Sequence, residues 1–291
     1  MEVIARTTEL TMVVTQPDRP SGRGQRLRAT AVSAAALGLG TPVLTPQRLQ
    51  PSPRELATLE CDIFVLASYG KILPAELLRI PRFGALNVHP SLLPLYRGAT
   101  PIQSALRDGR RETGVSVILM DAGMDTGDIV VQEMTQIQAD ENYGALHDRL
   151  ARYGAVLLES AIDRIARGNL EARHQIGEPS ITRPLRRGDL TVRWDWTAHE
   201  INNAIRAFSP KPSARAVLGG VPVKLLQAHV AAGVAPAQRP AGTVLALEGN
   251  AALVACGDGV IAVDRLTPPN RGAISGAAFV RSCGGLGACL R

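Results

Sequence analysis

Asn87 and His89 stand two residues apart at the end of an apolar stretch that contains Ala85, Leu86 and Val88. Side chains alternate across a strand, so an N-x-H pair in a strand presents both polar groups on one face. Open α/β sheets bind ligands where strands end. Pro90, Pro94 and Pro101 cannot continue a strand and Gly98 frees the backbone, so the segment after His89 is expected to be a fixed, irregular loop able to close over a ligand. A polar strand end that caps itself has the same pattern. The third group is Asp125. The apolar stretch T-G-V-S-V-I-L-M (Thr113–Met120) predicts a buried strand, and it runs into D-A-G-M-D-T-G-D (Asp121–Asp128). Gly123 and Gly127 flank Asp125 and leave its carboxylate room to approach a ligand. The same eight residues fit a set of Asx turns equally well. They lack the alternate-position oxygens and the terminal Glu of a calcium loop.

The elements that must carry these groups alternate in kind. Glu9 to Thr15 reads as a strand, Ala29 to Leu37 as a helix stopped by Gly38 and Gly40, and Pro42 to Leu44 as a short strand. Pro53 to Leu59 reads as a short helix. Cys61 to Ala67 is a continuous apolar run of strand length, as in a parallel strand covered on both faces. Pro101 opens a helix at its first position. This βαβ alternation predicts a doubly wound, mostly parallel open sheet. There is no G-x-G-x-x-G after a strand to mark a dinucleotide site. Asp140 to Arg167 has helical periodicity, with Asp140 as N-cap and Gly168 as stop.

Periodicity disappears from Asn169 to Leu190, where Pro179 and Pro184 mark a linker. After one more helix, Asp195–Phe208, five short strands are expected: Ala214–Leu218, Val221–Ala228, Thr243–Leu247, Ala251–Cys256 and Val260–Leu266. Close spacing and glycine turns predict a small β-barrel. The expected domains are therefore 1–168, a linker over 169–190, and 191–291.

The net charge of +6 and pI near 9.5 favour a polyanionic partner. Arg19, Arg23, Arg26 and Arg28 crowd a loop with Pro20, Gly22 and Gly24. Such a loop suits phosphates through counterion release, and it also fits an ordinary solvated loop. No apolar run reaches the roughly 18 residues of a membrane helix and no signal-peptide pattern opens the chain, so the cytoplasm is expected. Cys61, Cys256, Cys283 and Cys289 have no C-x-x-C spacing, which points to neither zinc nor a disulfide framework.

Asn87, His89 and Asp125, together with S-L-L-P (Ser91–Pro94), resemble the formyltransferases that use 10-formyl-tetrahydrofolate. A-S-Y-G-K-I-L-P (Ala67–Pro74) is similar to the family segment whose backbone holds the pterin ring. T-Q-P-D-R-P-S-G-R-G (Thr15–Gly24) and I-R-A-F-S-P-K-P (Ile205–Pro212) narrow the likeness to the branch that formylates methionyl-tRNA. The resemblance covers almost the whole chain. It implies an OB-like C-terminal barrel, a monomer with no metal, and folate and initiator methionyl-tRNA as partners. It assigns catalysis to Asn87, His89 and Asp125. It assigns folate binding to Tyr69, Gly70, Lys71, Ile72, Leu73, Ser91, Leu92, Leu93 and Pro94. Arg19, Arg23, Arg26 and Lys211 become tRNA contacts, with the basic loop entering the acceptor stem. Arg206, Arg215 and Lys224 are further charges available to the barrel, which fits equally well as a domain that only packs on the first.

Formyl transfer is attack by an amine on a formyl carbon. It needs donors aimed at the developing oxyanion and a group that moves protons between two nitrogens. Asn87 and a protonated His89 suit the oxygen, and Asp125 suits keeping His89 charged and relaying the amine proton through water. Two departures qualify the likeness. Arg183–Val192 replaces a lysine-bearing pattern. The family also begins with a strand and a G-T-P-x-F-A loop that this chain lacks. Such a strand is central and carries about five buried side chains at about 1.5–3 kcal/mol each. The expectation is that Met1 is not the native start, and that the 291-residue form is poorly soluble or inactive. Two other readings remain: a formyltransferase for a small amine, such as a purine precursor or amino sugar, and an inactive tRNA-binding relative.

Overall fold

The computed structural model describes residues 1–21, 26–49, 56, 58, 60–231, 233 and 239–284. The chain divides into two compact units that interleave along the sequence: Met1–Ala99, Gly114–Met134 and Leu150–Ile181 form the first, and Thr100–Thr113, Thr135–Arg149 and Thr182–Arg291 the second.

In the first unit, helix α1 (Glu2–Thr7) precedes strand β1 (Val13–Val14). A hairpin follows, β2 (Arg19–Ser21) against β3 (Arg26–Arg28), then helix α2 (Ala31–Gly38) and strand β4 (Val43–Leu44). Thr30 caps α2 by accepting from the Ser33 amide at 3.0 Å, and Gly40, at φ +70°, turns the chain back. β1 pairs with β4 in parallel. The stretch from Glu9 therefore yields a strand of only two residues, since its one strand partner among the described residues is the two-residue β4. The basic loop, expected to be irregular, is flanked by the β2–β3 hairpin. The helix expected over Pro53–Leu59 lies almost wholly outside the described residues.

The central sheet has the order β5 (Phe64–Leu66), β6 (Ala85–His89), β8 (Glu112–Leu119) and β9 (Asp128–Gln136). β5 and β6 run parallel, while β8 returns antiparallel beside β6. A short helix, α3 (Ala75–Leu78), links β5 to β6, and β7 (Arg97–Gly98) follows the proline-rich loop. Leu49, Leu56, Leu73 and Leu77 form one buried cluster, with Met12, Val14, Leu44 and Leu66 packed on it.

Helix α4 (Pro101–Arg107) has its proline in the first turn, where the missing N–H costs nothing. Helix α5 (Tyr143–Ala166) starts later than Asp140 predicts. Its cap is Asn142, whose Oδ1 accepts from the Ala145 amide at 3.1 Å. Asp140 is exposed; it is Glu141 that is buried, and Arg149 holds it through two hydrogen bonds of 2.7 and 2.8 Å. Burial pushes the Glu141 carboxyl up, but Arg149, the Gln138 amide and Arg206 outweigh it, and the net shift is down.

A short strand, β10 (Ile181–Thr182), leads from the first unit into the second and towards helix α6 (Ala198–Phe208). Thr197 and Glu200 close a reciprocal capping box on α6, with bonds of 3.1 and 2.9 Å. Five strands follow: β11 (Ala214–Leu218), β12 (Val221–Val230), β13 (Val244–Glu248), β14 (Ala251–Ala255) and β15 (Val260–Thr267). They pair antiparallel in the order β11-β12-β15-β14-β13. A short β16 (Ile274–Ser275) adds to β15, and helix α7 (Gly276–Ser282) closes the chain. Phe208 and Phe279 are fully buried. Among the described residues no helix is long and apolar enough to cross a membrane.

Candidate active site

β6 lies between β5 and β8, with Asn87 opposite Leu66 on one side and Ile118 on the other. Its two-residue period turns Asn87 and His89 to one face, as the sequence predicts. Val88 points to the other face, towards Gly154 of α5, where a side chain would begin only 2.7 Å from Val88 Cγ1.

Asp125 comes to the same place from the loop after β8. Both readings of that loop hold, for different residues. Asp121 makes the Asx turn: its Oδ1 accepts from the Gly123 amide at 2.9 Å and from Thr126 Oγ1 at 2.6 Å. Asp125 instead faces β6, with a left-handed backbone at φ +54°. Gly127 is required by close approach, since a Cβ there would sit 2.0 Å from the Leu119 carbonyl oxygen.

The Asp125 carboxylate is held by two donors and faced by His89. Oδ1 accepts from Asn87 Nδ2 at 3.2 Å, and Oδ2 accepts from the Gly98 amide at 2.8 Å. His89 Nδ1 lies 3.5 Å from Oδ2, and the two side chains are only 6% and 16% exposed. The other imidazole nitrogen, Nε2, is 3.0 Å from the Tyr96 carbonyl oxygen. A carbonyl only accepts, so Nε2 carries hydrogen, and in neutral His89 the lone pair sits on Nδ1, facing Asp125. Burial lowers the His89 pKa, the Asp125 charge and the Tyr96 carbonyl raise it, and the net direction is down, so burial overrides the expectation that Asp125 keeps His89 charged.

The S-L-L-P loop is fixed from beneath by two side chains that sequence reasoning missed. Ser116 Oγ donates to the Ser91 carbonyl at 2.7 Å and accepts from the Leu93 amide at 3.2 Å. Gln132 Nε2 donates to the Leu93 carbonyl at 3.0 Å and to Ser116 Oγ at 2.8 Å. Ser91 Oγ is itself committed to the Leu95 carbonyl at 2.6 Å. Ser91, Leu93 and Pro94 are buried, and Leu92 is half-buried. Gly114 lets β8 pass under this loop, since a Cβ would meet Leu92 Cδ2 at 2.4 Å.

The segment from Tyr69 to Leu73 follows β5. Its backbone is tied down where Gln16 Nε2 donates to the Tyr69 carbonyl at 2.9 Å. Lys71 Nζ donates to the Pro46 and Gln47 carbonyls at 3.2 and 3.1 Å. Leu73 is buried in the apolar cluster, whereas Ile72 is 78% exposed. Gly70, at φ +73°, has open space where a side chain would be. Tyr69 Oη is buried and has no hydrogen-bond partner among the described residues. An orphaned hydroxyl, an exposed apolar side chain and open space beside a tethered backbone fit a flat, polar-edged ring such as a pterin.

Of the basic residues, Arg19 and Arg26 lie on the two strands of the β2–β3 hairpin, and Arg23 lies outside the described residues. Lys211 is exposed in the second unit, between Pro210 and Pro212. Among the described residues no three His, Cys, Asp or Glu side chains are grouped to hold a metal ion.

Comparison with known proteins accounts for most of the chain. Residues 4–162 match the Formyl transferase family and residues 184–284 the Formyl transferase C-terminal domain. The chain is 40% identical over 270 residues to a methionyl-tRNA formyltransferase of Pseudomonas putida, covering 92% of this chain and 86% of that one. It is 37% identical over 284 residues to that of Geobacter metallireducens, covering 97% and 90%. Among solved structures, an N-formyltransferase from Helicobacter canadensis superposes with a TM-score of 0.68 at 20% identity, covering 92% of this chain and 93% of that one. HypX from Aquifex aeolicus, solved in complex with tetrahydrofolic acid, superposes at 0.65 with 17% identity; the match covers 94% of this chain and 47% of HypX. These two share the fold. The extent and identity of the first two likenesses, with both domains matched in order, mean that the chain belongs to the formyltransferase family, among the methionyl-tRNA formyltransferases.

Proposed function

We propose that this chain transfers a formyl group from 10-formyl-tetrahydrofolate to the α-amino group of initiator methionyl-tRNA, with Asn87, His89 and Asp125 as its catalytic residues. The convergence of these three side chains at the ends of β6 and β8, inside a chain about 40% identical to methionyl-tRNA formyltransferases, carries the reading. The folate supplies the formyl group. The tethered backbone and apolar surroundings from Tyr69 to Leu73 hold it together with the braced S-L-L-P loop. Asn87 uses one amide hydrogen on Asp125 and keeps the other for the formyl oxygen as negative charge grows there. His89, neutral at rest, has its Nδ1 lone pair ready to take the proton that the attacking amine must lose. Once charged, the imidazolium is stabilised by Asp125 and by the Tyr96 carbonyl. Arg19, Arg23, Arg26 and Lys211 contribute charge for tRNA. The protein acts as a cytoplasmic monomer, where charged initiator tRNA is used.

His89→Ala and Asp125→Asn test this. Losing acid–base and charge-stabilising groups costs about 10²–10⁴-fold in rate, so formylation should fall by that much. Affinity for tRNA should stay within about threefold, because these groups act on the transition state. Loss of tRNA binding in step with activity would show the assigned roles to be wrong.

A further inference from the structure

After α5 ends at Ala166, the chain returns along the loop that bears Asp125. Arg173 and Ile129 exchange backbone hydrogen bonds of 3.0 and 2.8 Å. Two residues on, the Gln175 carboxamide is used on both sides. Its Nε2 donates to the carbonyl oxygens of Asp125 and Gly127, each at 2.8 Å. Its Oε1 accepts from Arg97 Nε at 3.1 Å and Nη2 at 2.7 Å. Both donor hydrogens and both acceptor sites of the amide are thereby engaged.

The bonded carbonyls belong to Asp125 itself and to the glycine that crosses the Leu119 backbone. Asp125 has a backbone conformation that non-glycine residues seldom adopt, and such conformations persist only where the surroundings over-determine them. The surroundings here work from two directions. Gly98 donates its amide to the Asp125 carboxylate. Its neighbour Arg97 reaches the Asp125 main chain through Gln175. One stretch, Arg97–Gly98, thus holds the same aspartate by side chain and by backbone, and is itself tied to the returning chain by the Arg97 amide bond to the Ser180 carbonyl at 2.9 Å.

We propose that Gln175, oriented by Arg97, is a positioning residue for formyl transfer, which fixes the Asp125 backbone so that its carboxylate faces His89 and Asn87. The inference rests on the catalytic assignment of Asp125. The residue sits in an aperiodic stretch where nothing in residue spacing marks it. Its role is visible only as a four-bond contact, two bonds spanning 50 and 48 positions of the chain and two spanning 78.

Gln175→Glu separates the two halves of the contact. It keeps the length and the acceptor for Arg97 but sets a carboxylate oxygen against two carbonyls. Gln175→Met keeps the length and loses every bond. Both are made in the full chain, with Asp125→Asn beside them, and read by steady-state formylation and by the NMR titration of His89, assigned among the five histidines with His89→Ala. Misplacement of a reacting group by about 1 Å costs on the order of 100-fold. The expected result is a loss of that size in kcat, with KM for folate and tRNA within about threefold of wild type. His89 should also titrate at lower pH, because the displaced carboxylate no longer favours the imidazolium. A general loosening of the fold would not produce that split together with that shift. If kcat or the His89 titration stays at its wild-type value in both variants, the proposal is overturned. The titration is readable with or without turnover. Should both variants fail to fold, Arg97→Lys keeps the charge, removes the two-point donation and is judged by the same readouts. Full activity in Asp125→Asn would instead overturn the assignment of Asp125, an outcome distinct from failure of the Gln175 contact.

Discussion

Replacing Gly154 by alanine should fail to stabilise the protein, although the residue lies inside a helix. In a solvent-facing helix that change gains about 1 kcal/mol through helix propensity. Here the new Cβ would lie 2.7 Å from Val88 Cγ1 and 3.6 Å from Val115 Cγ1. Carbon atoms in contact settle about 3.5–4.0 Å apart, so Val88 has to retreat by roughly 1 Å. Its branched side chain has little rotamer freedom, and its strand is paired on both sides. Forcing an extra methyl into such packing costs about 1–3 kcal/mol. Set against the propensity gain, the net loss is about 0–2 kcal/mol. A double-mutant cycle isolates the cause. In a Val88→Ala background the obstructing methyls are gone, and Gly154→Ala should then stabilise by about 1 kcal/mol. The coupling between the two sites is therefore about 1–3 kcal/mol, read from urea unfolding of the four proteins. Val88 stands between Asn87 and His89, so Gly154→Ala should also lower kcat, and Val88→Ala should restore part of it. A coupling below about 0.5 kcal/mol would refute the argument.

Stability should also respond to pH through His89. Its folded pKa lies below the unfolded value of 6.5, so below that pH the unfolded chain binds a proton the folded one resists. Stability then falls as pH drops from 6.5 towards the folded pKa, by at most about 1.4 kcal/mol per pH unit. Thermal melts between pH 7 and pH 5 should show this slope in the wild type and a shallower one in His89→Ala; equal slopes would contradict it. Arg23→Ala should weaken tRNA binding and reduce the slope of log affinity against log salt by about 0.9, the value for one lost phosphate contact on a duplex, with folate affinity unchanged. An unchanged slope would make this loop an ordinary solvated one.

The parts legible in the sequence are those where local chemistry and tertiary structure agree. Ala214–Leu218 was predictable to the residue, because Gly219 and Gly220, both at positive φ, end the strand abruptly. The shared face of Asn87 and His89 follows from the period of two alone. β9 was hidden because its second half is polar, with Gln132, Glu133 and Thr135 following Ile129 to Val131, so it blurs into the glycine loop before it. α7 is seven residues long and opens on glycine, too short for periodicity to show. Its one signal is Ser275, whose Oγ accepts from the Ala278 amide at 3.1 Å. Ser116, Gln132 and Gln175 were invisible for a different reason. The partners of each lie elsewhere in the chain, and no spacing rule records a contact that exists only after folding.

With His89 and Asp125 in the proposed catalytic roles, the chemistry depends on a balance that the residue types alone do not reveal. A carboxylate as buried as Asp125 must be compensated, and the Gly98 amide and Asn87 supply two neutral donors. His89 stands close enough to add a charged third, yet its own burial opposes the charge. Were Asp125 stronger or His89 more exposed, the imidazole would be protonated at rest and unable to accept from an amine. Were Asp125 turned away, the proton would have no reason to stay. At 3.5 Å the pair is near enough for the anion to hold an incoming proton and too far for a short hydrogen bond to fix one beforehand. The Tyr96 carbonyl completes the arrangement by keeping hydrogen on Nε2, so that the vacant nitrogen is the one facing the carboxylate. The distance between Asp125 and His89, rather than the presence of either, sets whether this site is a base or a spent acid. On the proposed roles, the levers on that distance lie outside the pair, in the backbone that presents Asp125 and the helix glycine behind Val88.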